Sequence, residues 1–267
     1  MPLPELKESN AENSQVLLES ARSGEVPVLS SQEEVATPPP AVPVWKRGLD
    51  LFLILLLAPV LIPVMLATAL AIKWLSNGPV LFRQTRIGYG CRRFELLKFR
   101  TMKVGAESRM HDEHLDKLIQ TQAPMTKLDH QDPRLIPGGR WLRATGLDEL
   151  PQLLNVLQGT MSFVGPRPCV PTEFAWYGPT QRSRFNGLPG LTGLWQVSGK
   201  NRLSFPEMIR LDECYIATVS PLLDLKILLK TPWAILSQVR DTARLRFGPK
   251  KQVPVRTRPA GATAVQG

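Results

Sequence analysis

The sequence predicts an α/β fold: a small mixed helix/strand domain behind a long apolar segment that is able to enter a membrane. The first observation behind this prediction is the apolar stretch from Leu51 to Ile72, which is long enough to span a bilayer. The second is a pair of strand-like segments, 78–88 and 94–102, the latter with alternating apolar and polar side chains. The third is a series of helical patterns at 147–158, 171–186, and after residues 204 and 220.

Composition divides the chain into four predicted parts: a disordered tail at 1–44, a membrane helix at 45–73, a folded domain at 74–240 and a basic flexible tail at 241–267. The first tail holds seven glutamates against Lys7 and Arg22, although the whole chain carries a net charge of +10. The rest of the chain is therefore strongly basic, which suits phosphorylated substrates or anionic lipid. No nucleic-acid-binding motif is present, so we expect no nucleic acid partner.

Cysteine content and the first residues indicate the compartment. Three cysteines, Cys91, Cys169 and Cys214, lie far apart, which argues against a disulfide framework and a zinc site. The sequence Met-Pro-Leu-Pro-Glu has no basic or apolar segment typical of a signal peptide. We therefore expect the folded domain to lie in a reducing, cytosolic environment.

The apolar segment contains two prolines, Pro59 and Pro63, which each remove a backbone donor from a helix. Ile62, the residue before Pro63, is biased away from helical geometry. Basic residues flank both ends, so charge gives no preferred orientation. These residues leave two structures open: a helix that enters the membrane, bends and returns, and an ordinary crossing with a tolerated kink.

The helix predicted at 147–158 begins with two adjacent carboxylates, Asp148 and Glu149. Pro151 must lie in the first turn, which places this pair at or just before the helix start. Arg143 and Arg167 lie on either side in sequence, and arginine and helix starts both attract phosphate. The pattern predicts a phosphate-handling site in which a carboxylate acts as nucleophile or binds a divalent cation.

Helix ends give three further predictions. Thr145 and Asp148 match a capping box, so Asp148 has an alternative role as a cap. Ser204 and Glu207 match a second capping box. The helix after Ser220 is strongly apolar and is predicted to end near residues 232–233, either in the membrane interface or as a buried core helix.

A series of short motifs runs in order through residues 44–237. It resembles the bacterial sugar transferases, the monotopic phosphoglycosyl transferases that start exopolysaccharide, capsule or glycoconjugate synthesis. The most specific motifs are Leu-Asp-Glu-Leu-Pro-Gln at 147–152, Val-Gly-Pro-Arg-Pro at 164–168 and Pro-Gly-x-Thr-Gly at 189–193. Others are Lys-Arg-x-x-Asp at 46–50, Lys-Phe-Arg-Thr-Met at 98–102 and Asp-x-x-Tyr at 212–215.

The resemblance implies an enzyme that moves a sugar-1-phosphate from a UDP-sugar, UDP-glucose or UDP-galactose, to undecaprenyl phosphate and releases UMP. By this resemblance Asp148 is the nucleophile, Glu149 binds Mg²⁺, and Asp212 assists from a neighbouring helix. The implied phosphate-binding residues are Lys98, Arg100, Arg143, Arg167 and Lys200.

The resemblance also favours the re-entrant structure, with the membrane helix kinked at Pro59 and Pro63. It implies a monotopic enzyme on the cytoplasmic face of the bacterial inner membrane, in contact with membrane lipid and with downstream glycosyltransferases. This adds to the predicted fold an N-terminal re-entrant helix, a cytosolic domain and interfacial amphipathic helices.

Four residues depart from the family pattern: Ile62 and Gly146 each stand where serine is usual, Thr160 where aspartate is usual, and Leu188 where a basic residue is usual. The changes at Ile62, Gly146 and Leu188 motivate one alternative, a catalytically inactive scaffold in a polysaccharide assembly complex. A second alternative is a soluble nucleotide-binding domain whose apolar segment is a core helix.

Overall fold

The structure is a computed structural model that describes residues 41–106, 109–121, 123–125, 132–199 and 202–247. Both predicted tails fall largely or wholly outside these ranges, and so does Lys200. The helices are α1 (Val44–Leu75), α2 (Arg109–Gln120), α3 (Gly139–Thr145), α4 (Gln152–Gln158), α5 (Pro171–Phe174), α6 (Leu194–Val197), α7 (Phe205–Thr218) and α8 (Pro221–Phe247). The strands are β1 (Leu81–Ile87), β2 (Arg93–Phe99), β3 (Ser162–Val164) and β4 (Gly190–Thr192). The prediction of a mixed helix/strand domain with a long apolar N-terminal helix is confirmed.

Strands β1 and β2 form an antiparallel hairpin, as the two strand-like segments predicted. The register pairs Phe82 with Lys98 and Arg86 with Phe94. Because side chains alternate across a strand, Arg86 and Lys98 project from the same face of the hairpin. This face brings two cations together although they are separated in sequence.

Strands β3 and β4 form a parallel pair. Next to it, Gly165 and Gly190 allow a close approach between the backbone after β3 and the backbone at the start of β4. A Cβ atom on Gly165 would lie 2.1 Å from the carbonyl oxygen of Leu188, and one on Gly190 would lie 2.1 Å from the nitrogen of Gly165. The Gly165 amide donates to the Thr192 carbonyl at 2.9 Å. Only glycine permits this approach, which fixes the Gly-Pro-Arg-Pro turn at 165–168 against β4.

Helix α1 is, in the described part of the chain, the one helix long and apolar enough by length and composition to cross a membrane. Very little of its most apolar segment is buried by the protein. The helix runs without interruption through Pro59 and Pro63. A membrane is a suitable solvent for so many exposed apolar side chains, because a water-facing helix of this kind is unfavourable.

Both ends of α1 are bound to the folded domain. Near its start, the buried Lys46 forms a 2.6 Å ion pair with Asp224 of α8 and donates to the Tyr215 hydroxyl at 2.8 Å. Asp50 accepts from the Ser162 hydroxyl and from the Phe163 amide, both at 2.9 Å. Near its end, the buried Ile72 packs with Phe99 and Ile136.

Replacing Lys46 by methionine is expected to destabilise this docking. Asp224 would keep a buried negative charge, 1% exposed, without its lysine, and such a loss costs about 3–5 kcal/mol. Thermal unfolding in detergent should show a clearly lower midpoint for Lys46→Met. The control is Lys73→Met, which removes an exposed lysine of the same helix. Equal midpoints for the two variants would contradict the role of the buried pair.

Three sequence predictions need correction. The helix predicted at 171–186 is two short segments, α5 and a 3₁₀ helix at Thr180–Asn186, separated around Gly178 and Pro179. Helix α8 does not end near residue 232 but continues through Pro232 to Phe247. The Thr145 hydroxyl caps no helix start, because it donates to carbonyls of the preceding turns of α3. The capping box of Ser204 and Glu207 is confirmed, with the Ser204 amide donating to the Glu207 carboxylate at 2.8 Å.

Candidate functional site

The two adjacent carboxylates lie in a 3₁₀ turn, Leu147–Glu149, directly before α4. Gly146 ends α3 in the left-handed conformation with φ of 77°, where a serine would be strained. This departure from the family pattern therefore suits the local backbone. The Asp148 side chain is 5% exposed, whereas Glu149 exposes about a third of its side chain, 31%.

Asn155 holds the carboxylate turn against the hairpin. Its side-chain amide donates to the Glu95 carbonyl at 2.7 Å and its oxygen accepts from the Leu97 amide at 3.0 Å. These bonds join α4 to the edge of β2. They place Lys98, the next residue of β2, beside Glu149.

A small polar cavity of about 40 Å³ opens beside Glu149, with Arg86, Lys98 and Arg167 in its wall. The Lys98 ammonium lies 3.7 Å from the Glu149 carboxylate. Burial lowers the pKa of Lys98 to about 8, although the negative charges of Glu149 and Asp148 act in the other direction. Burial and the charge of Arg167 lower the pKa of Arg86 to about 10. Three cations in a partly desolvated space attract an anion with several negative charges, such as a diphosphate. The cavity volume of about 40 Å³ admits only a small part of such an anion.

The turn that carries Arg167 is supported by a buried ionic network. Arg184, with no exposed surface, is paired with Asp212 and donates to the Arg167 carbonyl at 2.9 Å. It also donates to the Tyr177 hydroxyl, which in turn donates to Glu173 at 2.7 Å. Burial raises the pKa of Asp212 to about 6, while Arg184 acts to lower it.

The structure thus brings Glu149, Lys98 and Arg167 together at the polar cavity. Asp212 does not line this cavity. Asp212 is completely buried and is paired with Arg184, which donates to the Arg167 carbonyl.

Arg100 is not part of the polar cavity. It is 5% exposed, and its guanidinium donates to the Pro79 and Ser76 carbonyls and to the Ser76 hydroxyl. This residue therefore joins the loop after α1 to β2 and is corrected from a phosphate-binding to a structural position. Leu188, where a basic residue is usual, is buried and also lies outside the polar cavity.

Arg143 lines a second cavity of about 270 Å³ on the other side of Glu149, here called the apolar cavity. It lies among α1, α3, α4 and α8, and most of its wall is apolar.

Sequence reasoning missed Arg86 and Arg184 as site residues. Arg86 lies in the strand-like segment predicted at 78–88, within the sequence Phe-Arg-Gln-Thr-Arg at 82–86. The alternation of that strand could have placed it on the same face as Lys98. Arg184 lies in a segment predicted as a plain helix, and nothing in its spacing indicated that it would support Arg167.

The donor set around Glu149 fits a magnesium ion that is shared with a substrate. Among the described residues no cluster of three or more metal-ligating side chains is present. Mg²⁺ does not need one, because it commonly binds one or two carboxylates together with substrate phosphates and water. Glu149 offers a partly exposed carboxylate next to a cationic cavity suited to phosphate.

Comparison with protein families gives a match to the bacterial sugar transferase model over residues 42–238. The matched region contains the hairpin, the carboxylate turn, the Gly-Pro-Arg-Pro turn and helix α1.

Several curated proteins are similar over much of this region. The galactosyl transferase CpsE of Streptococcus agalactiae is 43% identical over 164 residues, which is 60% of this chain and 35% of that protein. The UDP-glucose:undecaprenyl-phosphate glucose-1-phosphate transferase of Caulobacter vibrioides is 40% identical over 205 residues, 74% of this chain and 72% of that protein. The exopolysaccharide production protein ExoY of Sinorhizobium fredii is 36% identical over 187 residues, 70% of this chain and 83% of that protein. The chain thus spans about a third of CpsE and most of the other two.

Proposed function

The chain belongs to the bacterial sugar transferase family, and from this premise we propose that it transfers a sugar-1-phosphate from a UDP-sugar to undecaprenyl phosphate. The donor proposed is UDP-glucose or UDP-galactose, because similar proteins are named for both sugars. The product would start an exopolysaccharide or capsule chain, on which further glycosyltransferases act. Among similar proteins, ExoY is named for exopolysaccharide production.

The observation that carries this proposal is the cationic polar cavity beside the Asp148–Glu149 turn. Lys98, Arg86 and Arg167 supply the positive charge that a nucleoside diphosphate requires. Asp148 lies close enough to raise the pKa of Lys98 by its charge. The Asp148 side chain is buried and lines neither cavity, so the proposed attack on phosphorus requires its carboxylate to become accessible from the polar cavity.

The reaction proposed has two steps. A carboxylate oxygen of Asp148 forms a bond to the sugar-bearing phosphorus, and the bond from this phosphorus to the bridging oxygen breaks. UMP leaves with the electron pair, and Lys98 and the arginines stabilise the charge that develops. A phosphate oxygen of the lipid then attacks the same phosphorus, and the bond to Asp148 breaks to restore the carboxylate.

Glu149 would hold the Mg²⁺ ion beside the polar cavity. When bound, the ion supplies Lewis-acid neutralisation of the diphosphate charge. Glu149 itself orders Lys98 through their ion pair, which keeps the ammonium at the cavity wall.

The docking of α1 supports a re-entrant helix and a cytoplasmic site. If α1 were straight, its 32 residues would span about 48 Å, more than the hydrocarbon core of about 30 Å. A simple crossing would separate its ends by the bilayer, yet Lys46 and Ile72 both contact the folded domain. We therefore propose that α1 enters and leaves at one face, the face on which nucleotide sugars are made.

UMP release tests the reaction class. Detergent-solubilised protein would receive undecaprenyl phosphate, Mg²⁺ and a panel of UDP-sugars. Lipid-dependent turnover with one or two UDP-hexoses is expected. Folded protein that releases UMP from no sugar in the panel would contradict the proposal.

The reaction should lose efficiency above pH 8 through Lys98. Below its pKa of about 8 the ammonium is charged and attracts the diphosphate; above it the neutral amine does not. We expect kcat/KM for the UDP-sugar to be level below pH 8 and to fall above it. Lys98→Arg keeps its charge throughout this range, so its profile should lack this alkaline limb. An unchanged alkaline limb in Lys98→Arg would assign the fall to another group.

A further inference from the structure

We propose that the apolar cavity binds the first isoprenoid units of the acceptor lipid, with Arg143 near its phosphate. This inference rests on the proposed function, because that function supplies an apolar chain joined to a phosphate. It adds a separate acceptor site, distinct from the polar cavity for the nucleotide sugar.

The wall and size of the cavity suit a short hydrocarbon segment. Leu61 of α1, Leu153 of α4 and Leu228 of α8 contribute to the wall, together with Phe163. An apolar cavity of about 150 Å³ holds one benzene ring. By the same measure about 270 Å³ accommodates roughly ten carbons, or about two five-carbon units. The rest of a polyprenyl chain must therefore lie outside the protein.

The two cavities meet at the proposed reaction centre. Both are lined by Glu149, Leu191 and Gln196. The nucleotide sugar would occupy the side with Lys98, and the lipid phosphate would arrive on the side with Arg143. In the second step the lipid phosphate must attack phosphorus opposite the bond to Asp148, on the face that UMP has left. The wall residues shared by the two cavities place the acceptor next to this position.

The surroundings of the cavity favour an occupant that comes from the bilayer. Its wall includes Leu61 of α1 and Ile235 of α8. The same two helices expose large apolar side chains nearby, among them Val60, Leu229 and Trp233. A membrane that covers these faces would be continuous with the cavity, so a lipid tail can remain in hydrocarbon while its phosphate reaches Arg143.

Equilibrium binding of farnesyl phosphate to detergent-solubilised protein tests this inference without any need for turnover. Ala234 lines the cavity, so Ala234→Phe should fill it. Loss of burial for two methylenes corresponds to about a tenfold weaker affinity, and at least this loss is expected. Ser237→Phe adds the same side chain at an exposed position of α8 outside the cavity and should bind like the original protein.

A second variant tests the same cavity independently, in case Ala234→Phe does not fold. Ile235→Phe enlarges a cavity residue that is already 40% exposed, and it should also weaken binding. Equal farnesyl phosphate affinity in Ala234→Phe, Ile235→Phe and Ser237→Phe would overturn the acceptor site. Failure of the proposed function looks different: no UDP-sugar would release UMP, whatever the binding results for farnesyl phosphate.

Discussion

Asp148→Asn is expected to reduce UMP release by about 10⁴-fold or more, because loss of a covalent nucleophile removes the reaction path itself. Asparagine has nearly the same shape, and the side chain is 5% exposed, so packing should change little. The amide is a very poor nucleophile towards phosphorus. The measurement is the initial rate of UMP formation with saturating UDP-sugar and undecaprenyl phosphate.

A matched control is Asp116→Asn. The Asp116 carboxylate accepts a 3.0 Å bond from the Trp176 indole, and the asparagine carbonyl can accept the same bond. This variant should retain full activity. If Asp148→Asn releases UMP as fast as Asp116→Asn, Asp148 is not the nucleophile. The scaffold alternative predicts something different: polymer production in cells that is unchanged by Asp148→Asn. Thermal unfolding of both variants would show that neither result reflects loss of the fold.

Arg184→Met is expected to destabilise the domain by about 3–5 kcal/mol, since a buried ion pair loses one partner. Both Arg184 and Asp212 have 0% exposure, so water cannot replace the missing guanidinium. The destabilisation should be larger at pH 8 than at pH 5. Burial already raises the pKa of Asp212 to about 6 while Arg184 acts to lower it, so without Arg184 the pKa rises further.

The pH dependence follows from linkage. A carboxyl whose folded pKa lies above its unfolded value stabilises the fold only while it is protonated, and this contribution is lost as pH rises through the folded pKa. Arg184→Met should therefore recover stability in acid. Equal destabilisation at pH 5 and pH 8 would contradict the assignment to Asp212.

The double variant Arg184→Met/Asp212→Leu separates stability from positioning. Replacing both charges of an ion pair by apolar side chains is often neutral for stability. The buried Glu173, whose carboxylate lies 3.9 Å from the Arg184 guanidinium, remains, so only part of the lost stability should return. UMP release should be low in both the single and the double variant, because in each the Arg167 carbonyl lacks its donor from Arg184. Full recovery of activity in the double variant would show that Arg184 does not position the Arg167 turn.

Local sequence patterns predicted the elements whose signals are contained within a few residues. The alternation at 94–102 predicted β2, Pro151 fixed the carboxylate turn before α4, and Ser204 with Glu207 marked the start of α7. Periodicity and capping are local effects, so they are readable from sequence.

Tertiary contacts explain what the sequence did not predict. Arg100 resembled a phosphate ligand, but each of its three guanidinium nitrogens donates to a carbonyl or hydroxyl of Ser76 or Pro79 in the loop after α1. Pro232 resembled a helix end, yet α8 continues past it. Packing against β3, β4 and α3 offsets the missing backbone bond. Arg184 and Asp212 are 28 positions apart in the sequence. Local sequence patterns carry no information about a contact over such a separation.

Intact-protein mass spectrometry after incubation with a UDP-sugar and Mg²⁺, without lipid, tests the central claim most directly. The account predicts one added hexose phosphate, located on the peptide that contains Asp148, and its disappearance when undecaprenyl phosphate is added. Absence of the adduct, together with UMP release only when lipid is present, would contradict the two-step reaction and indicate direct transfer between donor and acceptor.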